Sequence, residues 1–381
     1  METGKRAGLE GVVAAETRVS AVDGEAGELV IAGFPLEEIA EQATFEEIVW
    51  LLWNDRLPDQ RELPGFRGSL AARRSLPPIT LEVLKAAAAE KTQVMDALTM
   101  GAATLRLNAP EEAATDERTM ALSITARLPT VVAAYWRLLA GKDPIAPRSE
   151  PGHAANFLVM LTGEEPTAEQ VRALDTYLCT VADHGLNAST FTARVIISTR
   201  SDIVSAVVGA LGALKGPLHG GAPGPALDMV FKIGTKERAE PVLRAMLDRG
   251  ERLMGFGHRI YKVRDPRADV LARAASRLYR TDGDEKLYVL ALHVEQTALR
   301  LLEEAKPGRR LHTNVEFYTA LLLHGIGLPS ELFAPTFALG RVAGWIAHCL
   351  EQRSLDRLIR PQSAYVGGRG RKWTPVEMRA V

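Results

Sequence analysis

Two histidines and a carboxylate stand in three short polar clusters in the last half of the chain: Gly216-Pro-Leu-His219-Gly-Gly221, Met254-Gly-Phe-Gly-His258-Arg-Ile-Tyr-Lys262-Val-Arg-Asp-Pro-Arg267, and Asn314-Val-Glu316-Phe-Tyr318. With the cations beside them they form the inventory that carbon-acid chemistry on a thioester needs. A base must take a proton from carbon while neutral donors stabilise the enolate oxygen. The glycines flanking His219 let the backbone turn sharply and approach a ligand closely. Taken alone, that cluster reads equally as a turn whose histidine caps a helix, and it matches neither the Walker phosphate loop nor the dinucleotide-binding glycine pattern.

His258 precedes Arg259, Lys262, Arg264 and Arg267. A solvated basic loop is the plain alternative, but Asp265-Pro266 predicts a turn that aims Arg267 instead of leaving it free. An arginine so held suits a carboxylate gripped through two bonds, whereas Lys262 suits a point contact with a phosphate. Glu316 falls in the first turn of a helix running through Leu321 to His324, where the helix dipole favours the ionised form; alone it reads as a capping residue. Two further places carry polar groups: Ala182-Asp-His184-Gly-Leu-Asn-Ala-Ser-Thr-Phe191, in which Asp183 can pair with His184, and the C-terminal stretches that Arg341 and Arg360 interrupt. His153, His293, His312, His324 and His348 have no comparable setting, and no His or Cys spacing suggests a metal site.

The elements that must position these groups are mostly helical. Leu36 to Leu52, Leu81 to Leu105, Arg118 to Ala140, Ala168 to Cys179, Val204 to Leu214, Lys236 to Arg249 and Asp269 to Arg280 are rich in Ala, Leu, Glu and Arg, with apolar residues near three-four spacing. Thr44-Phe-Glu-Glu47 has the form of a capping box, and Thr167 precedes a helical stretch in the same way. Thr17 to Val22 and Glu28 to Phe34, separated by Asp23-Gly24-Glu-Ala-Gly27, predict a β-hairpin near the N-terminus. At 381 residues two domains are expected. The glycine-rich clusters and charged helices from Gly216 to about Pro307 suggest the second.

Lys plus Arg number 46 against 47 for Asp plus Glu, so no net field draws the chain to nucleic acid or to a membrane. Gly367-Gly-Arg-Gly-Arg-Lys372 reads as a solvated tail with too few charges for strong nucleic-acid affinity. Apolar runs such as Val131 to Trp136 are too short to span a bilayer. Cys179 and Cys349 are the only cysteines, and Met1 to Glu10 leads into no apolar segment; both features fit a reducing cytoplasm.

In order, the clusters resemble those of the citrate synthase family over nearly the whole chain. Gly8-Leu-Glu-Gly-Val-Val13, the Asp23-Gly24 hairpin, Phe45-Glu-Glu47 with Leu51-Leu-Trp-Asn54, and His153-Ala-Ala-Asn-Phe157 resemble its N-terminal half. The three opening clusters resemble its catalytic loops, and Arg341-Val-Ala-Gly-Trp345, Arg360-Pro361 and Tyr365-Val-Gly367 its C-terminus. The resemblance implies a mainly α, two-domain homodimer with a small N-terminal β-hairpin. Residues 1–215 and 313–381 would form the large helical domain and 216–312 a small one, with the active site in the cleft between them.

It further implies condensation of acetyl-CoA with oxaloacetate and hydrolysis of citryl-CoA to citrate and CoA, with no metal or redox cofactor. Glu316 would be the base, His219 the neutral donor to the thioester oxygen, and His258 the group that polarises and protonates the ketone. His184, Arg267 and Arg341 would hold oxaloacetate, Arg360 would reach a substrate carboxylate in the partner subunit's site, and Lys262 would lie near a coenzyme A phosphate. A carboxylate base paired with a neutral imidazole is also the device of triosephosphate isomerase.

Where the family has Asp, this chain has Glu316. The added methylene extends reach by roughly 1.5 Å, and a misplacement of about 1 Å can cost on the order of 100-fold in rate. Propionyl-CoA, the substrate of 2-methylcitrate synthase, differs from acetyl-CoA by one methylene, a difference of only about 1–3 kcal/mol in a pocket. A catalytically degenerate paralogue that binds CoA or dicarboxylates is the alternative from another class.

Overall fold

The computed structural model describes residues 8–9, 11–107, 116–150, 152–219, 223–258, 260–282 and 284–379. Gly220 and Gly221 of the first cluster, Arg259 of the second and the leading residues 1–7 lie outside them.

The hairpin is present but shorter than its sequence runs. Strand β1 (Ser20–Asp23) pairs antiparallel with β2 (Glu28–Ile31), Ser20 opposite Ile31 and Asp23 opposite Glu28, and a third strand, β3 (Phe34–Pro35), returns along β2. Pro35 is tolerated because β3 is an edge strand. Leu29 and Ile31 are buried and fix β2 to the core.

Sixteen α-helices follow among the described residues. The Leu36 to Leu52 run divides into α1 (Leu36–Ile39) and α2 (Phe45–Asn54), because Thr44 and Glu47 form a capping box that starts a new helix. After α3 (Glu62–Ala71), the Leu81 to Leu105 run divides into α4 (Pro78–Ala89) and α5 (Val94–Thr104). Neither glycine nor proline marks that break; Lys91 takes a left-handed conformation, and the Tyr135 hydroxyl donates to the Thr92 carbonyl. Helix α6 (Glu117–Leu139) continues through Pro129, and α7 (His153–Thr162) and α8 (Ala168–Val181) follow, the latter opened by the Thr167–Gln170 capping box.

Helices α9 (Ala188–Ser198) and α10 (Ile203–Leu214) pack on each other. Helices α11 (Pro223–Ile233), α12 (Lys236–Asp248), α13 (Pro266–Thr281) and α14 (Glu285–Ala305) cover the segment between the first and third clusters, and α15 (Val315–Ile326) carries Glu316. The last, α16 (Phe333–Leu355), is buried at every position from Ala338 to Cys349 and packs on α2, α6, α8, α9 and α10. A helix buried all round needs small residues where others cross it. No described helix is long and apolar enough to cross a membrane.

Gly340 marks the crossing of α16 with α8: a Cβ there would sit 2.6 Å from Val181 Cγ2 and 2.9 Å from the Leu178 carbonyl oxygen. Backbone cannot yield as a side-chain tip can. Gly340→Ala is therefore expected to destabilise the protein by about 1–3 kcal/mol, read as a lowered midpoint in urea at unchanged slope.

Candidate active site

The second and third clusters are stitched together by backbone. Phe256 bridges Thr313, Gly257 N–H donates to the His312 carbonyl (2.7 Å), Asn314 N–H donates to the Gly255 carbonyl (2.9 Å), and Asn314 Nδ2 donates to the Gly257 carbonyl (2.7 Å). Gly255 must be glycine: its φ is +89°, and a Cβ would meet Phe317 Cβ at 2.8 Å. Asn314 also caps α15, its Oδ1 accepting from Glu316 N–H (3.0 Å). The loop that carries His258 thereby ends beside the helix turn that carries Glu316.

Hydrogen bonds set the tautomer of His258. Its Nδ1 accepts from Ile260 N–H and Tyr261 N–H (3.1 Å each), so the neutral ring carries its proton on Nε2. That Nε2–H faces Arg267 Nη2 at 3.3 Å. Two donors this close are satisfied together by one acceptor oxygen beside them, within reach of both. Arg267 is held, as the Asp-Pro turn suggested, in the first turn of α13. Asp265 caps that helix and grips the same guanidinium at Nε (3.0 Å) and Nη2 (2.7 Å), leaving Nη1 without a partner among the described residues.

His219 has the opposite tautomer. Its Nε2 accepts from Ser189 N–H (3.3 Å) and lies 2.8 Å from Ser189 Oγ at the N-terminus of α9, so Nδ1 holds the proton. Ser189 Oγ also lies 2.8 Å from Asn187 Oδ1, its one proton shared between that oxygen and His219 Nε2, and it accepts from Trp345 Nε1 (3.0 Å). The positive end of a helix disfavours an imidazolium. Burial and then Arg341 push the His219 pKa down to about 4, and burial and then Arg267 do the same for His258. His184 is held well below its ordinary range by burial, Arg267 and Arg341, and its Nε2 lies 3.1 Å from the Tyr261 hydroxyl. All three imidazoles are neutral at pH 7.

Arg341 is 1% exposed in the middle of α16; its Nε donates to the Val181 carbonyl (2.6 Å), its guanidinium lies over Phe337, and its buried Nη2 has no partner among the described residues. An orphaned cationic donor in a protein interior calls for an anion. Glu316 is half-buried. Burial pushes its carboxyl up to about 7, Asp265 adding to the rise while Arg267 and Arg341 hold it down. A carboxyl at that value is a base near neutrality.

The structure thus brings together His184, His219, His258, Arg267, Glu316 and Arg341. It does not bring Arg360 to them: that residue is exposed in the tail beyond α16, where Tyr365, Val366 and Trp373 are also exposed. Lys262 is exposed on the His258 loop, while Arg264 is no free cation but is tied to Asp269 and Glu295. Asp183 does not pair with His184; it accepts from Ser20 Oγ and from His348 Nε2, and His348 Nδ1 accepts from Arg194, so the setting of His348 is one the sequence did not suggest. Tyr261 and Ser189 are the missed members, and Asp265 was read only as a turn residue; each lies inside a quoted motif but is of a type common in any loop. A cavity of about 690 Å³ lined by Phe231, Lys236, Asp284 and His324 lies toward the other end of α15 from Glu316.

The family model "Citrate synthase, C-terminal domain" matches residues 8–362. Citrate synthase 2 of Bacillus subtilis is 41% identical over 98% of this chain and 99% of that protein. The 2-methylcitrate synthase of Shewanella oneidensis is 36% identical over 98% of each. Among solved structures, the ternary complex of carboxymethyl coenzyme A and oxaloacetate with the citrate synthase of Thermoplasma acidophilum superposes with a TM-score of 0.88 at 29% identity, covering 98% of each chain.

The raised Glu316 value has a stability consequence of fixed sign. Between its ordinary 4.5 and about 7 the folded protein holds a proton that the unfolded chain has released. The contribution is therefore full below 4.5 and lost as pH rises through 7, at no more than about 1.4 kcal/mol per pH unit. Glu316→Gln, which mimics the protonated form, is expected to match the native chain in thermal unfolding at pH 4 and to exceed it at pH 8.

Proposed function

Because this chain belongs to the citrate synthase family, we propose that it condenses acetyl-CoA with oxaloacetate and hydrolyses citryl-CoA to citrate and CoA. The observation that carries this reading is the convergence of one carboxyl poised near 7 with two neutral imidazoles of opposite tautomer and two guanidinium edges lacking partners.

Glu316 takes a methyl proton from acetyl-CoA while His219, through Nδ1–H, donates to the thioester oxygen as charge develops there. A neutral imidazole is the better donor here, since it stabilises an enolate or enol without first releasing a proton to water. The nucleophilic carbon attacks the oxaloacetate ketone, whose oxygen accepts from both His258 Nε2–H and Arg267 Nη2 and takes its proton from His258. Arg341 Nη2 and Arg267 Nη1 pair with the substrate carboxylates, His184 lies beside them, and Lys262 meets a coenzyme A phosphate. Hydrolysis of the thioester follows. The chemistry requires neither metal nor redox cofactor.

On this reading residues 216–312 form a small domain that closes on the large domain formed by 1–215 and 313–381, excluding water from the enolate. The enzyme is a cytoplasmic homodimer whose exposed tail carries Arg360 into the partner subunit's site. The Shewanella relative keeps propionyl-CoA as a second thioester to assay.

Release of CoA from acetyl-CoA with oxaloacetate is expected, with kcat/KM rising with pH through about 7, where Glu316 loses its proton, and reaching a plateau above it. Glu316→Gln should lower kcat by at least about 100-fold with oxaloacetate binding retained. A clear preference for propionyl-CoA would move the assignment to 2-methylcitrate synthase, and tight oxaloacetate binding without turnover of any short acyl-CoA would indicate a degenerate paralogue.

The tail makes a separate prediction. Glu316→Gln and Arg360→Ala chains, each nearly inactive alone, should recover about a quarter of native activity when refolded as an equal mixture, because half the dimers are mixed and each mixed dimer has one intact site. No recovery would place Arg360 in its own chain's site, and an Arg360→Ala chain active alone would place it outside both.

A further inference from the structure

His184 and His258 come from loops far apart in sequence. Between the two loops themselves the link runs through side chains, His184 Nε2 to the Tyr261 hydroxyl. Each loop also meets the N-terminal hairpin. At the start of β1, Ser20 Oγ donates to Asp183 Oδ2 (2.5 Å) and accepts from Gly185 N–H (2.9 Å), so it holds both neighbours of His184. In the turn after β1, the Gly24 carbonyl accepts from Lys262 N–H (2.8 Å), and a Cβ on Gly24 would run into the Ile260 carbonyl. A Cβ on Gly27 would likewise meet Val263 Cγ2 at 2.6 Å.

The hairpin is rigid enough to act as a spacer. Asp23 Oδ1 accepts from Glu25 N–H and Ala26 N–H (2.9 Å each), Gly27 N–H donates to the Asp23 carbonyl (3.0 Å), and β1 is paired along its length with β2, whose Leu29 and Ile31 are buried. From Ser20 to Gly24 an extended strand spans about 13 Å, the scale of a small-molecule site.

We propose that the segment Ser20–Gly27 is a positioning element that sets the spacing of His184 and His258 across the substrate, with Ser20 and Gly24 as its positioning residues. The identity of that substrate as oxaloacetate rests on the proposed function; the mechanical coupling does not. Loss of either contact frees one loop and, because both are held by one strand, loosens the other.

The test combines Ser20→Ala, Ser20→Thr and Gly24→Ala in the full chain, read by amide hydrogen exchange and by kinetics. Ser20→Ala is expected to speed exchange not only at 183–186, which it touches, but also at 258–264, which it does not. Gly24→Ala should do the converse. The KM for oxaloacetate should rise about tenfold in Ser20→Ala, that for acetyl-CoA should change less than about twofold, and Ser20→Thr, which keeps the hydroxyl, should restore both readouts. If exchange in the remote loop stays at the native rate in Ser20→Ala and in Gly24→Ala, the coupling is wrong. Should Gly24→Ala not fold, the Ser20 pair decides alone. A native protein silent toward oxaloacetate and every short acyl-CoA would count against the functional reading only, the exchange comparison still deciding the role of the hairpin.

Discussion

One buried carboxylate, Asp265, joins the parts on which the site depends. Its two oxygens accept from Arg267 N–H, Nε and Nη2 and from Val315 N–H, so one side chain caps α13, neutralises the arginine and ties down the first residue of α15. The pair is almost fully buried, the side chains 1% and 5% exposed. Removing one member of such a pair costs about 3–5 kcal/mol, because the other charge is left in the interior. Asp265 also places the His258 loop, whose end it forms, against the helix turn bearing Glu316. Three groups on separate stretches of chain are thereby fixed to one another by a single residue.

A site containing two buried guanidiniums and three imidazoles would repel itself if the imidazoles were charged. Burial, and then the arginines, hold the histidines neutral, and neutrality turns each ring into a directed donor instead of a point charge. The direction comes from what occupies the other nitrogen: backbone N–H groups on His258 Nδ1, the N-terminus of α9 on His219 Nε2. Two histidines in one field thus present protons from different ring atoms. The difference arises from local backbone, not from the residues' shared electrostatics.

Elements whose signals are local were legible in the sequence. The capping boxes at Thr44 and Thr167, the hairpin around Asp23-Gly24 and the helices with three-four periodicity are decided by residues within one or two turns of each other. The catalytic clusters were legible for the same reason, their glycines and polar residues being contiguous. What was not legible depends on partners more than a hundred residues away: Asp183 turns from His184 to Ser20 and His348, and His348 in turn is met by Arg194. The break at Lys91 carries no glycine or proline, and the Tyr135 hydroxyl contacts the backbone there. Arg264 resembled its neighbours Lys262 and Arg267 in charge alone, and only packing brings Glu295 and Asp269 to it.

The groups gathered at the candidate site are also those the fold holds least comfortably. Arg341 keeps a buried donor without an acceptor, Glu316 holds a carboxyl displaced to about 7, and His258 and Arg267 point hydrogens at one another. Each arrangement costs stability. They persist because the surrounding structure has no cheaper alternative to relax into. Arg341 sits in a helix buried all round, Arg267 is fixed at the cap of α13, and Glu316 is fixed in the first turn of a helix stitched to the His258 loop. An anionic ligand bearing a carbonyl between its charges relieves the arginine and the facing donors together. Binding of such a ligand is then favoured by donors that the fold already holds in place.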